Sequence, residues 1–409
     1  MRGWRVPLVI TAMLVAAQLF RAGPIVEVVS GAPPDHVHLA YPFLHFVFAP
    51  FTLLADYLNG GSATDLKAFG IWAVVIFLLA RLGTPASEQK RPIRELRAGV
   101  LFLIGMGIFL WWGVRWTRPI PHLVADDSTR IIFDTHSHTS ASHDGRPGFD
   151  AAANAGWHAR AGFDAAFITD HNVVGAARQW RQERAERPPR LLEGEELSLA
   201  GLHLVVLGNR RLIDNAPAAG SFDSTLALIR RMGRDSSLGA GEPPYLIGSL
   251  PEYWRNHWGE DLGRLISAGV NGLEVWTTSP KAMDFPPALR RVVIGRAKAD
   301  SIGLVGATDM HGIGYAASVW NVAPLSGWRA MSDSTLTAAL IGMLRRSPGA
   351  VHVIAMRRVQ GDSRLARAFE LPAGLWMVLR CASLPHTAAL LLWIWIPPLL
   401  RSRRPKPTA

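Results

Sequence analysis

The chain has 409 residues, 49% of them hydrophobic, a formal net charge of +11 and one cysteine, Cys381. Residues 1–118 hold 11 Lys/Arg against 6 Asp/Glu, and residues 371–409 hold 5 against none, so the segment between is nearly neutral. That segment lacks the basic stripe that a phosphate backbone requires, which sets nucleic-acid binding aside, and a lone cysteine excludes an intrachain disulfide and a thiolate zinc site.

The charged flanks border apolar runs, as membrane segments do. Val6–Phe20 follows Arg2 and Arg5, has no small-x-small cleavage site after it, and reads as an uncleaved helix. Tyr41–Leu58 carries His45, Pro50 and Asp56 and reads as a marginal span or a re-entrant segment. Leu66–Leu82 is a short candidate span. Ala98–Trp116 is a stronger one, with Gly105, Gly107 and Gly113 for close helix packing and Trp111, Trp112 and Trp116 for an interface. Cys381–Leu400 is long enough to cross, is broken by Pro385, and stops at a basic tail. Arg81, Lys90, Arg91, Arg94 and Arg97 crowd one loop. With the tail they predict a cytoplasmic side, and hence an extracytoplasmic domain between. The expected organisation is a membrane region over 1–118, a folded domain over 119–370, and a C-terminal transmembrane helix with basic tail over 371–409. Abundant Arg and Ala suggest a bacterial chain, so a multi-pass protein of the inner (cell) membrane is expected.

Within the central domain, Ile131–Phe133 reads as a short buried strand that enters Asp134-Thr-His-Ser-His138. On extended backbone His136 and His138 point to one side, which makes a metal-binding fork. Two ligands do not close a site, and a pair of loop histidines explains the spacing as well. A similar pair, His36 and His38, lies in a Pro-rich connection without a preceding strand and is set aside. Further strands are expected at Gly162–Asn172, Leu191–Ser198, Leu202–Leu207, Tyr245–Gly248, Gly272–Trp276 and Gly303–Ala307. Helices are expected near 150–161, 174–186, 223–233, 261–268 and 286–300. Strands alternating with helices argue an α/β fold with a parallel sheet, and their number favours a barrel. Polar residues repeatedly follow the strands, where such a barrel gathers its active site.

Five motifs carry this pattern in order. They are Asp134-Thr-His136-Ser-His138 with Asp144-Gly145; Ile168-Thr-Asp-His171-Asn172; Gly194-Glu-Glu196 with His203; Gly272-Leu-Glu-Val-Trp276; and Thr308-Asp309-Met-His311-Gly312. In these residues the chain, over about 131–320, resembles the PHP (polymerase and histidinol phosphatase) family, and most closely its CehA/McbA-like metallohydrolase branch. The resemblance implies a distorted (β/α)7-type barrel flanked by the transmembrane helices. It implies two or three divalent ions: one on His136, His138, Glu196 and Asp309, a second on Glu196 and His203, and a third on Asp144, His171 and His311. Imidazoles and carboxylates without thiols suit zinc, manganese or iron.

By that resemblance Glu196, Asp309 and His203 stand at the reacting centre. The expected reaction is hydrolysis of a small anionic phosphoester by metal-bound hydroxide. A carboxylic ester, amide or carbamate hydrolase on the same site is the alternative, and a non-catalytic metal- or ligand-binding membrane sensor is the third reading. Asp134 and Asp170 are expected to orient His136 and His171 through their other ring nitrogens. One position departs from the family: Gly248-Ser-Leu-Pro251 places Leu250 where the family has a histidine. The site then works with fewer ions, or one ion keeps three ligands and a water, unless His257 folds inwards.

Other residues read more plainly. Glu195 alternates away from Glu196. His143 competes with Asp144, His158 and His352 read as packing residues, and Glu274 as support for the barrel mouth. Arg210, Arg211 and Lys281 follow strands and suit an anionic substrate or solvent alike. Trp254, Trp258, Trp276 and Trp320 suit a pocket, a bilayer surface or the core.

Overall fold

The computed structural model describes residues 4–82, 92–114, 118–183, 189–239, 242–254, 260–279, 282–314, 316–361 and 369–402. The chain divides into two units, one of residues 1–24, 41–121 and 357–409 and the other of residues 25–40 and 122–356. Trp116, His257, Trp258 and Lys281 lie outside the described residues, as do Lys90 and Arg91.

The first unit is helical. Ala63–Leu82 and Ile93–Gly113 are each long and apolar enough to cross a membrane. Glu370–Cys381 and Leu384–Leu400 are apolar enough only as a pair, and they meet at a bend of 114°. The first apolar run is a 15-residue helix, Arg5–Leu19, shorter than a span. Tyr41–Leu58 holds two short helices, Phe43–Val47 and Ala49–Asn59, separated at Phe48. Its polar residues are buried and paired: His45 contacts Asp56 at 2.8 Å and His386 at 2.8 Å, and Arg118 donates to Asp56 at 2.5 Å.

The second unit is built on strands β1 (Ile25–Glu27), β2 (Val37–Ala40), β3 (His122–Ala125), β4 (Arg130–Ser137), β5 (Ala165–Ile168), β6 (Arg190–Leu199), β7 (Leu202–Leu207), β8 (Tyr245–Ser249), β9 (Gly272–Thr277), β10 (Gly303–Ala307), β11 (Val319–Pro324) and β12 (His352–Met356). One mixed sheet has the order β1-β12-β11-β4-β5-β6-β7-β8-β9-β10, and β2 and β3 form a separate antiparallel pair. β4, β5 and β6 are parallel, β7 is antiparallel to both its neighbours, and β8, β9 and β10 are parallel again. Residues 25–40, placed by the sequence reading in the membrane region, fold with this sheet. The physical reason is pairing: β1 bonds to β12 and β2 to β3, both remote in sequence.

The sheet curls. Beyond β10 the chain returns to the end of β4, where Asp309 N donates to His136 O and His138 N to Met310 O, both at 2.9 Å. Lower in the seam Asn321 substitutes for a strand, because its side chain accepts from Gly306 N at 2.8 Å and donates to Gly306 O at 2.7 Å and Phe133 O at 3.2 Å. The Asn321 side chain and the Gly306 N–H and C=O are thereby paired, as burial demands. The sheet's faces follow the period of two. Leu192, Val205, Leu207, Tyr245, Ile247 and Val305 fill one apolar cluster with Leu336 and Leu340. Leu204, Leu246, Leu273 and Leu304 face the other, with Leu226, Leu265 and Val293 of the connecting helices. Continuing the first face towards the carboxyl ends of β6 and β8 and the amino end of the antiparallel β7 gives Glu196, Ser249 and His203.

Helix Ala151–Ala161 brackets the site from outside the sheet. Asp150 accepts from Ala153 N at 2.9 Å and starts it, and Gly162 ends it at φ +88. A Cβ at Gly162 would lie 2.2 Å from Leu123 O, so glycine is required there for space as well as for φ. The cap positions Asn154 and His158 on the helix's buried side.

Candidate metal centre

β4 ends in Asp134-Thr-His-Ser, and its register with β5 shifts between Asp134 and Ser137. This irregularity sends the two side chains to different places. Asp134 accepts from His158 Nε2 at 3.0 Å and from Thr308 N at 3.1 Å, while His136 turns towards β6 and β9. The expected pairing of Asp134 with the His136 ring therefore does not form. Glu274 Oε1 on β9 holds His136 Nδ1 instead, at 2.7 Å. Glu274 is itself fixed by Ser249 Oγ at 2.7 Å and Thr277 Oγ1 at 2.8 Å. Asp170 likewise accepts from Thr139 N and Thr139 Oγ1 rather than from His171, whose Nδ1 meets Ser198 Oγ at 3.1 Å. Ser198 follows Glu196 by two residues, so strand alternation carried that signal. Glu274, read in the sequence as support for the barrel mouth, meets His136 because the curl of the sheet brings β9 to β4.

The free ring nitrogens of His136 and His138 converge with two carboxylates. His136 Nε2 lies 3.0 Å from His138 Nε2, 3.0 Å from Glu196 Oε2 and 3.4 Å from Asp309 Oδ1. His138 Nε2 lies 3.2 Å from each of the same two oxygens. All four residues are buried. Donors held about 2.1 Å from one tetrahedral ion lie about 3.4 Å apart, and the observed edges approach that spacing. Two imidazole nitrogens aimed at each other and at two acid oxygens are what a divalent cation would satisfy.

A second group adjoins it. Asp144 Oδ2 is 3.0 Å from His311 Nε2 and 3.3 Å from His171 Nε2, with His138 close by. His171 Nε2 is also 3.3 Å from Glu196 Oε2, so that single oxygen faces both groups. His203 Nδ1 meets the other oxygen, Glu196 Oε1, at 2.8 Å. All eight residues singled out as ligands are thus brought together. Asp309 sits at φ 50 and Asn172 at φ 52, a backbone region sparsely used by residues other than glycine, beside the site.

Electrostatics separate the groups. Burial opposes the charge on His138, yet hydrogen bonds to Asp309 and Glu196 outweigh it and hold its pKa at about 9 in the metal-free protein. His136 is likewise raised, against burial, by Glu196, Glu274 and Asp309. Glu196 and Asp309 are held well below the usual carboxylate range, despite burial, chiefly by His136. His171 moves the other way, to about 4, because burial dominates there. Any cation entering the four-donor group must displace these imidazole protons.

Leu250 is 1% exposed and packs in the apolar cluster that includes Trp276, Met283 and Phe285. Glu195 points away from Glu196, takes Asn209 Nδ2 at 2.7 Å and Ile213 N at 3.2 Å, and burial lifts its pKa to about 7. The His143 ring lies 4.8 Å from that of His171. His158, read as a packing residue, is buried and bonded to Asp134. Trp276 and Trp320 are buried, and Trp320 Nε1 donates to Ala161 O at 2.9 Å. Arg211 donates to Ser237 O, and Arg210 lines a separate cavity of about 740 Å³ with Arg178, Glu193 and Glu242. None of the eight ligand residues lines that cavity.

No family model and no curated protein matches the chain. Among solved structures it is similar to a putative metal-dependent phosphoesterase from Bifidobacterium adolescentis, at 16% identity over 44% of this chain and 87% of that one, with a TM-score of 0.32. It is also similar to PsfC from Pseudomonas syringae, at 18% identity over 54% and 99% of the two chains, with a TM-score of 0.34. A third similar structure is an amidohydrolase from Chromobacterium violaceum, at 15% identity over 48% and 92%, with a TM-score of 0.31.

Proposed function

We propose that this protein is a membrane-anchored, metal-dependent hydrolase that acts on a small anionic substrate, with phosphoester hydrolysis as its reaction. The observation that carries the reading is the convergence of His136 Nε2 and His138 Nε2, 3.0 Å apart, with Glu196 Oε2 and Asp309 Oδ1, each 3.0–3.4 Å from both nitrogens, in a buried site. The donor set is hard-to-borderline, which suits zinc, manganese or iron(II). When bound, such cations lower the pKa of a water and neutralise charge that develops on a phosphoryl or carbonyl oxygen.

The chain's own residues prepare that chemistry. Glu274 fixes the His136 ring and its tautomer, and Ser198 does the same for His171. Glu196 offers one oxygen to both donor groups. His203, His311 and Asp144 are more open than the four buried donors. The seven strands β4 to β10, closed by the return to β4, are the distorted barrel of this proposal. The anchor consists of Ala63–Leu82, Ile93–Gly113 and the bent C-terminal pair, and the helix ends bearing Arg81 and Arg94 are cytoplasmic, so the sheet unit is extracytoplasmic.

The test is a screen of the full-length protein in detergent against an aryl phosphate and an aryl carboxylic ester, with added zinc or manganese. Turnover of the phosphate supports the reading. Turnover of the ester alone moves the substrate class to the carboxylic ester and amide hydrolases while keeping the site. A reporter fused after Ala409 that proves extracytoplasmic overturns the orientation.

A further inference from the structure

We infer that the loop carrying Asp144 is the substrate-recognition element, and that Arg146 and His143 on it select a terminal phosphoryl group, as in a phosphomonoester. The inference rests on the phosphoester reading above and adds the substrate class. The loop follows β4 and is held by its own backbone. Ser140 N donates to Phe149 O at 2.7 Å, Gly145 N to Ser142 O at 3.1 Å, and Phe149 N to Arg146 O at 3.0 Å. It is also tied to the site, by Arg146 N to His311 O at 2.9 Å and by Thr139 to the Asp170 carboxylate.

The loop divides its side chains between site and solvent. Asp144 turns to the second donor group, where its Oδ2 meets His171 and His311. His143 and Arg146, before and after it in the chain, are exposed. The His143 ring stands 4.8 Å from the His171 ring, so it borders that donor group, and none of the described residues hydrogen-bonds to it. The Arg146 guanidinium makes one hydrogen bond to the described residues, Nη1 to Gly312 O at 3.2 Å, one residue past His311. Asp144 forms its ion pairs with the two histidines, so the Arg146 charge is not spent on it. Nor does the loop need that charge, because backbone bonds already hold its shape. A guanidinium with N–H groups left over is a bidentate partner for phosphoryl oxygens.

The placement bears on the ligand. The four-donor side chains are at most 4% exposed, whereas those of Asp144 and His311 are 38% and 22% exposed. The second donor group is therefore the more open part of the site, and the loop's two exposed groups stand beside it. A terminal phosphoryl group has enough unsubstituted oxygens to meet the donor group's cation and a guanidinium together. A diester offers fewer oxygens and less charge, and a neutral carboxylic ester gives the guanidinium no charge to meet.

The experiment is steady-state kinetics on the full-length, zinc-reloaded protein in detergent. The substrates are an aryl phosphate and an aryl methyl phosphate diester, with inorganic phosphate as inhibitor and zinc content measured beside them. The parent should prefer the monoester in kcat/KM. Arg146→Ala should raise the monoester KM and the phosphate inhibition constant by roughly 10–100-fold, with a smaller change in kcat and a smaller loss on the diester. Arg146→Lys should regain part of that loss, because charge returns without the planar fork. His143→Ala should raise the same KM, and His143→Gln, which keeps a donor amide, should regain part of it. All four variants should keep the parent's zinc content. Preference for the diester, an equal loss on both substrates, lost zinc, or an unchanged KM in Arg146→Ala or in His143→Ala overturns the inference but leaves a metal-dependent phosphoesterase. A parent that binds zinc and cleaves only a carboxylic ester overturns the inference together with the phosphoester reading. A parent that binds no zinc and cleaves nothing overturns the proposed function altogether, so the failures are distinguishable.

Discussion

Glu274 decides how His136 is presented. Its Oε1 lies 2.7 Å from His136 Nδ1, and two hydroxyls hold its other oxygen. Glu274→Gln keeps the shape but removes the charge that makes the imidazole a stronger donor. Zinc affinity in chelator competition should fall about 10–100-fold with little change in fold. A second residue-scale prediction concerns Asp164, whose carboxylate accepts from Ile132 N at 2.9 Å. Burial raises its pKa from 3.8 to about 6, so the folded state binds more protons than the unfolded state between those values. That contribution is therefore fully present below about pH 4 and is lost as pH rises through 6. Asp164→Asn should raise the melting temperature at pH 7 relative to the parent and narrow the gap at pH 4. An unchanged gap would place the titration elsewhere. The donors themselves were legible in the sequence because each falls in a short motif beside a strand. Their orienting partners were not, because a register shift after Asp134 and the approach of β9 to β4 depend on the folded sheet.

The elements that carry the site were readable to within a few residues. Helix 286–300 is Pro287–Asp300, helix 261–268 is Glu260–Ala268, and the strand expected over Gly162–Asn172 is the shorter β5. The short strands β1 to β3 and the antiparallel β11 and β12 were not read. Three or four residues give little periodicity, and the partners of β1 and β2 lie far along the chain. His38, set aside in the sequence, is on β2 and bonds to Asp126 at 2.7 Å, so its role is in the sheet's margin. The closing joint is the element-scale weak point. Asn321→Leu would remove the acceptor of Gly306 N–H and the donor to Phe133 O, while Gly306 O keeps Thr135 Oγ1, and should destabilise the sheet unit by about 1–3 kcal/mol, read as a lower denaturation midpoint. Gly306→Ala should also destabilise it, by about 1–3 kcal/mol, because a Cβ there would lie 2.3 Å from Val319 Cγ2.

At the scale of the molecule, each unit follows its own chemistry. The sheet unit buries carboxylates and imidazoles around a site, and the helical unit exposes apolar helices long enough for a bilayer. Tyr41–Leu58 was ambiguous in sequence because His45 and Asp56 interrupt it. The fold breaks the run at Phe48 and pairs those residues with His386 and Arg118 in the helical unit's interior. Asp56→Asn would remove the Asp56 charge from the buried Arg118 guanidinium, at a cost of about 3–5 kcal/mol. The detergent-solubilised protein should then melt markedly lower, with zinc binding per folded chain unchanged.

The measurement closest to the central claim is hydrolysis of an aryl phosphate by full-length protein that has been stripped of metal and then reloaded with zinc or manganese. The parent should be inactive when stripped and should regain turnover on reloading, whereas a variant that combines His136→Ala and Asp309→Ala and keeps its fold should stay inactive after reloading. Equal turnover by that double variant, or a reloaded parent that retains no metal and cleaves neither phosphate nor carboxylic ester, would contradict the account.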